Sequence, residues 1–186
     1  VKDWPKSILP EYAFIGRSNV GKSSLINMLT NQRKLAKTSS TPGKTQLINH
    51  FLINGSWFLV DLPGYGYAKT SKSNKKKFQK SITDYFNQRN QLVSAFILVD
   101  IRHAALEIDL DFMIWLVTNN ISFSIIFTKA DKLTEKEIEN KIKDYKQKLE
   151  KDWEILPKIF ISSSKKHLGK EPVLSYIQEI NTSIIQ

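Results

Sequence analysis

The stretch GRSNVGKSS at residues 16–24 decides the fold of this chain. Its first eight residues have the spacing G-x-x-x-x-G-K-[ST], which is typical of a phosphate-binding loop. An apolar run, YAFIG at 12–16, precedes it, and good helix formers follow from Lys22 to Thr30. A buried strand that turns through glycines into a helix presents backbone N–H groups and the positive helix end to phosphates. The stretch therefore predicts a P-loop NTPase fold.

Outward from this loop, apolar runs alternate with amphipathic stretches, as in an α/β sheet covered by helices on both faces. Continuous apolar runs at 95–100 and 121–128 predict parallel strands, and a shorter run at 158–162 predicts the last strand. Asn54-Gly55 separates QLINHFLI from SWFLVDL and predicts an antiparallel hairpin. We expect a doubly wound, mostly parallel six-stranded sheet with one antiparallel edge hairpin.

Helices are predicted between the strands at about 74–89, 107–119, 134–152 and 170–184. In the third of these, Ile138, Ile142, Tyr145 and Leu149 form one apolar stripe, and Thr134 with Glu137 indicates a capping box. Surface loops are expected at 42–43 and 69–77. Without a linker or an internal repeat, residues 1–186 are interpreted as a single domain, with 1–10 as a short N-terminal extension.

Composition narrows the classes of function. The chain has no cysteine, which excludes disulfides and thiolate metal sites and fits a reducing compartment. No apolar run approaches the ~20 residues needed to cross a bilayer, so no membrane span is expected. The net charge of +10 favours a polyanionic partner such as nucleic acid, although a lysine-rich surface with no such partner is the alternative.

The phosphate-binding loop predicts specific contacts. Backbone N–H groups wrap the phosphates, Lys22 reaches the terminal phosphates, and the Ser23 hydroxyl is a ligand for Mg²⁺. The residues expected to line this part of the site are Gly16, Arg17, Ser18, Asn19, Val20, Gly21, Lys22, Ser23 and Ser24. A glycine-rich turn without a ligand is the alternative interpretation.

Asp61-Leu62-Pro63-Gly64 ends an apolar strand about 40 residues after the loop. An aspartate there can hold the Mg²⁺ shell through water, and the Gly64 N–H can contact the γ-phosphate. A plain Pro-Gly turn is the alternative. Because a phosphate-binding loop lies upstream, we interpret the tetrapeptide as a second part of the same site.

Thr128-Lys129-Ala130-Asp131 ends the strand at 121–128. A carboxylate at Asp131 can accept hydrogen bonds from the guanine ring N–H and amino group, which adenine does not offer, and the Lys129 stem can lie over the base. Ser162, Ser163 and Ser164 close the last strand, where a backbone N–H can meet the guanine carbonyl. Helix caps at both places are the alternatives.

Taken together, these motifs resemble a translation-factor-class GTPase. More narrowly, GRSNVGKSSLIN, TPGKTQ at 41–46, DLPGYGYAK at 61–69, DIRH at 100–103 and TKADKL at 128–133 resemble the EngB/YsxC/YihA family of small bacterial GTPases, within the TrmE-Era-EngA-YihA superfamily. The resemblance runs from about Leu9 to the C-terminal helix.

The resemblance implies GTP binding and hydrolysis, Mg²⁺ dependence, and a role in assembling the large ribosomal subunit that is linked to cell division and septation. It places the first switch at Gly43, Lys44, Thr45, Gln46 and Leu47, with Thr45 as the second Mg²⁺ ligand and Thr41 as its rival. Lys22, Thr45 and Gly64 are the implied catalytic groups. The resemblance also implies that guanine is held by Thr128, Lys129 and Asp131, helped by Ile161, Ser162 and Ser163. Asn19 occupies a position at which K⁺-dependent relatives help to bind K⁺, by analogy only.

Family membership also implies partners and location. We expect contact with the large-subunit precursor and its ribosomal RNA through basic runs around Lys75–Lys77 and Lys165-Lys166, no DNA partner, and a monomer. A bacterial cytoplasmic location is implied, and an organellar origin stays open. The rivals are an ATP-using P-loop enzyme and an RNA-binding module with a vestigial nucleotide site.

Tyr65 follows Gly64 directly, where Ras-like proteins have a glutamine that orients the attacking water. Tyrosine has no amide for this task, and its ring is expected to point away from the phosphate. The sequence therefore predicts slow intrinsic hydrolysis, with the water oriented by another group, a monovalent cation or a partner.

Overall fold

A six-stranded sheet with helices on both faces forms the frame of this protein. The computed structural model describes residues 4–36, 48–65 and 72–185. The strands are β1 (Glu11–Gly16), β2 (Asn49–Ile53), β3 (Trp57–Asp61), β4 (Leu92–Asp100), β5 (Phe123–Thr128) and β6 (Ile159–Ile161). The helices are α1 (Lys22–Leu29), α2 (Lys72–Gln88), α3 (Glu107–Thr118), α4 (Glu135–Leu149) and α5 (Lys170–Ile185).

The strand order is β2-β3-β1-β4-β5-β6, and only β2 and β3 pair in the antiparallel sense. Their hairpin turns at Asn54 and Gly55, which have φ angles of 49° and 67°. Two consecutive residues with positive φ match the right-handed twist of the flanking strands, which is why Asn-Gly is favoured here. The predicted fold class, including its antiparallel edge hairpin, is confirmed.

Two hydrophobic clusters lie on opposite faces of the sheet. Leu25 and Ile26 of α1 and Val173 and Ile177 of α5 pack on one face. On the other face, α2, α3 and α4 contribute the buried residues Ile82, Tyr85, Phe86, Leu110, Phe112, Met113, Leu116, Tyr145 and Leu149. Burial of the sheet on both faces explains why β4 and β5 are continuous apolar runs rather than alternating ones.

Several predicted boundaries are wrong. Strand β4 begins at Leu92, not at 95, because the Ser94 hydroxyl is buried and donates to the Ser122 carbonyl, so a polar residue continues the strand. The predicted surface loop at 69–77 is helical from Lys72, since lysine is a good helix former and no Gly or Pro interrupts the segment. Helix α4 ends at Leu149, the last residue of its apolar stripe, rather than at 152.

The start of α4 follows the sequence signal. The Thr134 hydroxyl accepts from the Glu137 N–H at 3.4 Å, and the Glu137 carboxylate accepts from the Thr134 N–H at 2.7 Å. These two bonds satisfy backbone donors that the first turn of a helix leaves free. The predicted capping box is confirmed.

A buried ionic cluster lies at the beginning of β1, the end of the strand away from the phosphate-binding loop. Glu11 is fully buried and accepts hydrogen bonds from Arg89 and from the Tyr85 hydroxyl, the latter at 2.9 Å. Arg89 also donates to the Pro5 carbonyl at 2.8 Å, and Trp4 packs edge-on against Tyr85. The cluster therefore ties the segment before β1 to the end of α2.

Among the described residues, no helix is long and apolar enough to cross a membrane.

Candidate nucleotide-binding site

The predicted site residues come together at one edge of the sheet. The loop after β1, the segment Asp61–Gly64 at the end of β3, the segment after β5 and the segment after β6 all follow the carboxyl ends of parallel strands. In doubly wound sheets, ligands bind at this edge, where successive strand connections diverge. Gly43, Lys44, Thr45, Gln46 and Leu47 lie outside the described residues.

Backbone geometry accounts for the glycines of the phosphate-binding loop. Gly21 has a φ of 104°, in the left-handed region that glycine adopts at little cost, and α1 begins at the next residue. A Cβ atom at Gly16 would lie 2.7 Å from the Leu98 carbonyl oxygen of β4. The loop thus leads directly into α1, whose first N–H groups have no acceptor within the helix. This is the geometry that binds an anion.

Lys22 and Asp61 meet in the interior of the site. The Lys22 ammonium contacts Asp61 Oδ1, and both side chains are almost wholly buried. Burial raises the pKa of Asp61, and the adjacent Lys22 charge only partly opposes that shift. The phosphate-loop lysine and the Asp-x-x-Gly aspartate therefore share one desolvated space.

The oxygen donors at this place suit a hard cation. Asp61 supplies a carboxylate and Ser23 a hydroxyl, and Mg²⁺ is usually held by one or two such protein ligands together with substrate phosphates. Within the described ranges, no cluster of three or more His, Asp or Glu side chains could hold a metal ion by itself. The donor set is compatible with a Mg²⁺–nucleotide complex.

The segment at Gly64 and Tyr65 lies directly against the phosphate-binding loop. The Tyr65 N–H donates to the Gly16 carbonyl at 3.3 Å, and Tyr65 forms an isolated β-bridge with Arg17. A Cβ atom at Gly64 would lie 2.7 Å from the Gly16 carbonyl oxygen, so only glycine permits this approach. The Tyr65 ring is buried and stacks on Phe112 of α3 with 4.7 Å between ring centroids. The ring is part of the core.

The Asp131 carboxylate is oriented by the last strand. The Ser163 hydroxyl donates to Asp131 Oδ1 at 2.7 Å, and this bond is the main reason that the pKa of Asp131 is lowered. The Ala130 N–H donates to the Ser162 carbonyl at 3.1 Å. The structure therefore brings the segments after β5 and β6 together, and holds an ionised carboxylate where the sequence predicts guanine contact.

Lys129 and Thr128 hold the phosphate-binding loop from the side of β5. Lys129 has a φ of 63°, and its ammonium donates to the Asn19 carbonyl at 2.6 Å. The buried Thr128 hydroxyl donates to the Val20 carbonyl at 2.6 Å. Both side chains connect the loop at 16–24 to residues 128–131, which we call the base-recognition segment because the sequence predicts guanine contact there, so each end of the candidate site supports the other.

A family model described as "50S ribosome-binding GTPase" matches residues 11–155, which is most of the chain. A sequence from Christiangramia forsetii named "Probable GTP-binding protein EngB" is 61% identical over 180 residues, covering 97% of this chain and 91% of that relative.

This chain belongs to the EngB family of GTPases.

Other comparisons agree with that family. The relative of the same name from Flavobacterium johnsoniae is 58% identical over 183 residues, covering 98% of this chain and 87% of the relative. A crystal structure of a probable GTP-binding protein engB matches with a TM-score of 0.70 at 22% identity, over 93% of this chain and 99% of that chain. At 22% identity, this likeness shows that the two chains share a fold.

A more distant GTPase has the same fold. The structure of Era in complex with MgGDPNP and nucleotides 1506–1542 of 16S ribosomal RNA matches with a TM-score of 0.73 at 19% identity, over 92% of this chain and 56% of that one. The P-loop GTPase fold expected from the sequence is therefore confirmed for this EngB-family chain.

Asp100 is the residue of this site that the sequence analysis left without a role. It ends β4 and lies 2.9 Å from the Lys129 ammonium, while Arg102 donates to its two carboxylate oxygens at 2.9 and 2.7 Å. Burial opposes its ionisation, but the hydrogen bonds from Arg102 and Lys129 outweigh burial and hold the pKa of Asp100 well below its usual value. Asp100 and Arg102 both lie in DIRH at 100–103. An acid at the carboxyl end of a central strand is the sequence signal that could have identified Asp100.

Proposed function

We propose that this GTPase is a nucleotide switch that acts in assembly of the large ribosomal subunit. The observation that carries the proposal is the convergence of three segments, from β1, β3 and β5, on one edge of the sheet. The phosphate-binding loop supplies N–H groups, the Asp61–Gly64 segment adjoins that loop, and Asp131 is oriented by Ser163.

The triphosphate would be bound by the loop from Gly16 to Ser24. The Lys22 ammonium, which contacts Asp61 in this structure, would move to contact the terminal phosphates when the nucleotide binds. Ser23 and Thr45 would bind Mg²⁺ directly and Asp61 through water, and the cation would neutralise charge that develops on the phosphates. Asn19 is the proposed ligand for K⁺.

Guanine would be selected at the other end of the site. The lowered pKa of Asp131 keeps its carboxylate ionised, so it can accept from the ring N–H and amino group of guanine. Thr128, Lys129, Ala130, Ile161 and Ser162 form the surroundings of that carboxylate. Adenine lacks this pattern of donors, which argues for GTP over ATP.

Hydrolysis would be slow without help. Tyr65 follows Gly64 but stacks on Phe112 in the core, and it has no amide with which to orient water. The attacking water would therefore be oriented by another group, by a monovalent cation or by the partner. In this scheme the GTP-bound state docks on a pre-ribosomal particle and hydrolysis releases it, with normal cell division and septation depending on that cycle in a bacterial cytoplasm.

The proposed partner is the large-subunit precursor and its ribosomal RNA, bound by a monomer. The net charge of +10 favours a polyanion, and Lys165 and Lys166 are exposed beside the base-recognition segment. The matched family model describes a 50S ribosome-binding GTPase, and Era has been seen with 16S ribosomal RNA. Both likenesses support an RNA-containing partner.

Sedimentation with purified large-subunit particles tests this function. We expect co-sedimentation with a non-hydrolysable GTP analogue, release with GDP, and a steep loss of binding between 50 and 200 mM salt, since several phosphate contacts are lost together. Binding that ignored the nucleotide would favour the vestigial-site rival, and Lys22→Ala would then behave like the wild type. Preference for ADP over GDP would favour the ATP-using rival.

A further inference from the structure

A cluster of buried polar side chains lies between the phosphate-binding loop and α3. Arg17 comes from the loop, Tyr65 follows Gly64, and Asp109 is in the first turn of α3. In the part of the chain that the structure describes, Arg17 Nε, Tyr65 Oη and Asp109 Oδ1 are all buried without a hydrogen-bond partner of normal geometry. Such groups are rare in folded proteins and indicate a functional use or a missing partner.

The three side chains are close enough to influence one another. Burial raises the pKa of Tyr65 well above its usual value, and the adjacent Asp109 carboxylate raises it further. Burial likewise raises the pKa of Asp109, while the Tyr65 hydroxyl and the Arg17 charge oppose that shift. Tyr65 also stacks on Phe112, which lies about one turn after Asp109 in α3, so the Tyr65 side chain and Asp109 lie in the same buried region although Tyr65 Oη and Asp109 Oδ1 have no hydrogen-bond partner among the described residues.

A purely structural role explains Asp109 poorly. The carboxylate is 3% exposed, and its raised pKa means that its ionised form is less stable in the folded chain than in water. Exposed Glu107, in the same first turn of α3, already places a negative charge at the positive end of the helix. Keeping a buried acid at 109 thus costs folding stability without supplying anything the helix lacks.

Space around the cluster allows it to rearrange. A cavity of about 210 Å³ opens between the phosphate-binding loop and the β4–α3 connection, and Arg17, Ser18 and Asp109 line it. The Ser18 hydroxyl is also buried and unpaired within the described residues. Because the Asp109 side chain borders this cavity, it has open space on one side into which it can turn.

Tyr65 connects this cluster to the phosphate end of the site. Its N–H is bound by the Gly16 carbonyl, its ring is fixed by Phe112, and the peptide before it belongs to Gly64. The position of the Tyr65 side chain therefore determines how the Gly64 backbone is presented beside the phosphate-binding loop.

We propose that Asp109 is a positioning residue for the response to the γ-phosphate. Together with Arg17, it holds the Tyr65 hydroxyl, and through Tyr65 it places the Gly64 N–H at the position where the γ-phosphate binds. This inference rests on the proposed function, because it assumes that Gly64 meets the γ-phosphate. Asp109 itself touches no nucleotide atom in this scheme.

The test compares affinities for GDP and for a non-hydrolysable GTP analogue, each with Mg²⁺, by fluorescence titration. Asp109→Ala should weaken binding of the analogue about tenfold and leave the GDP affinity within about twofold, since GDP has no γ-phosphate. Asp109→Asn keeps an oxygen acceptor for the Tyr65 hydroxyl and should recover most of the loss. Asp111→Ala, on the exposed face of the same helix, is the matched control and should match the wild type.

A double-mutant cycle separates positioning from general damage to the fold. In a Tyr65→Phe background, where the hydroxyl is already gone, Asp109→Ala should cause little further loss of analogue affinity. Equal weakening of both nucleotides by Asp109→Ala, or fully additive losses with Tyr65→Phe, would overturn the inference. A wild-type protein that bound neither guanine nucleotide would instead overturn the proposed function, and thermal unfolding of each variant reports whether it is folded.

Discussion

Replacing Glu11 by glutamine should destabilise the whole domain, although position 11 is remote from the nucleotide site. The Glu11 carboxylate is fully buried and accepts from Arg89 Nε at 2.9 Å and from the Tyr85 hydroxyl at 2.9 Å. The His50 ring lies 3.4 Å away. Glutamine keeps the size of the side chain and one oxygen acceptor, but it removes the negative charge that compensates Arg89.

The magnitude follows from the burial of both partners. The Arg89 side chain is only 10% exposed, so the substitution leaves a largely buried cation without its counter-charge. Breaking a buried ion pair from one side costs roughly 3–5 kcal/mol. Because glutamine can still accept one hydrogen bond and Arg89 keeps its bond to the Pro5 carbonyl, we expect about 3 kcal/mol, at the lower end of that range. That is a large part of the ~5–15 kcal/mol that stabilises a typical domain.

The effect should also depend on pH. Burial works against ionisation of Glu11, but the nearby His50 ring and the hydrogen bonds from Arg89 outweigh it, so the pKa of Glu11 in the folded protein lies below its ordinary value of 4.5. A carboxylate with a lowered folded-state pKa stabilises the fold above the unfolded-state pKa and loses that contribution as the pH falls. The difference between wild type and Glu11→Gln should therefore be complete at pH 7 and shrink below about pH 4.5.

Urea unfolding at pH 7 and at a series of lower pH values measures this difference, with the nucleotide concentration kept constant because a bound ligand adds to stability. Glu139→Gln, at an exposed position on α4, is the matched control and should change the free energy of unfolding by less than about 0.5 kcal/mol. If Glu11→Gln were as stable as that control, or if its deficit did not change with pH, the buried ion pair would not have the role assigned to it.

Two further predictions concern the base-recognition segment. Asp131→Asn should weaken GDP binding about tenfold or more and increase the affinity for xanthosine nucleotides, because an amide can donate to the xanthine carbonyl. A competition titration that showed unchanged guanine preference would refute the assignment of Asp131. Ser163→Ala should weaken GDP binding about fivefold, because Asp131 is partly exposed and one hydrogen bond to its carboxylate is worth about 1 kcal/mol there. The neighbouring Ser164→Ala is the control, and equal GDP affinities for these two serine variants would show that the 2.7 Å bond does not orient Asp131.

Local sequence was enough to predict much of the fold. The phosphate-binding loop, the Asn54-Gly55 hairpin and the Thr134 capping box each depend on residues within a few positions of one another, and all three are found where the sequence places them. The start of β4, for which the prediction is wrong, depends on a contact outside its own segment. Ser94 continues β4 because the Ser122 carbonyl, just before β5, accepts its hydrogen bond, and no local pattern contains that partner.

The candidate site divides in the same way. Gly16, Lys22, Asp61 and Asp131 could be proposed as site residues from motif spacing, because each lies in a short motif next to an apolar run. The contacts that support these residues could not be predicted from the sequence. Asp100 with Lys129 and Arg102 is known only from the structure, since an acid after an apolar strand has many possible partners.

By itself, the sequence predicted the chemistry proposed for this protein: a loop for phosphates, an aspartate for guanine and a sheet to bring them to one edge. Only the tertiary structure decided what supports those groups. Glu11 and Arg89 are 78 positions apart, and Thr128 bonds the Val20 carbonyl across 108 positions. Such pairs depend on how the strands are ordered and how the helices pack between them, and that arrangement is a property of the whole chain rather than of any short stretch.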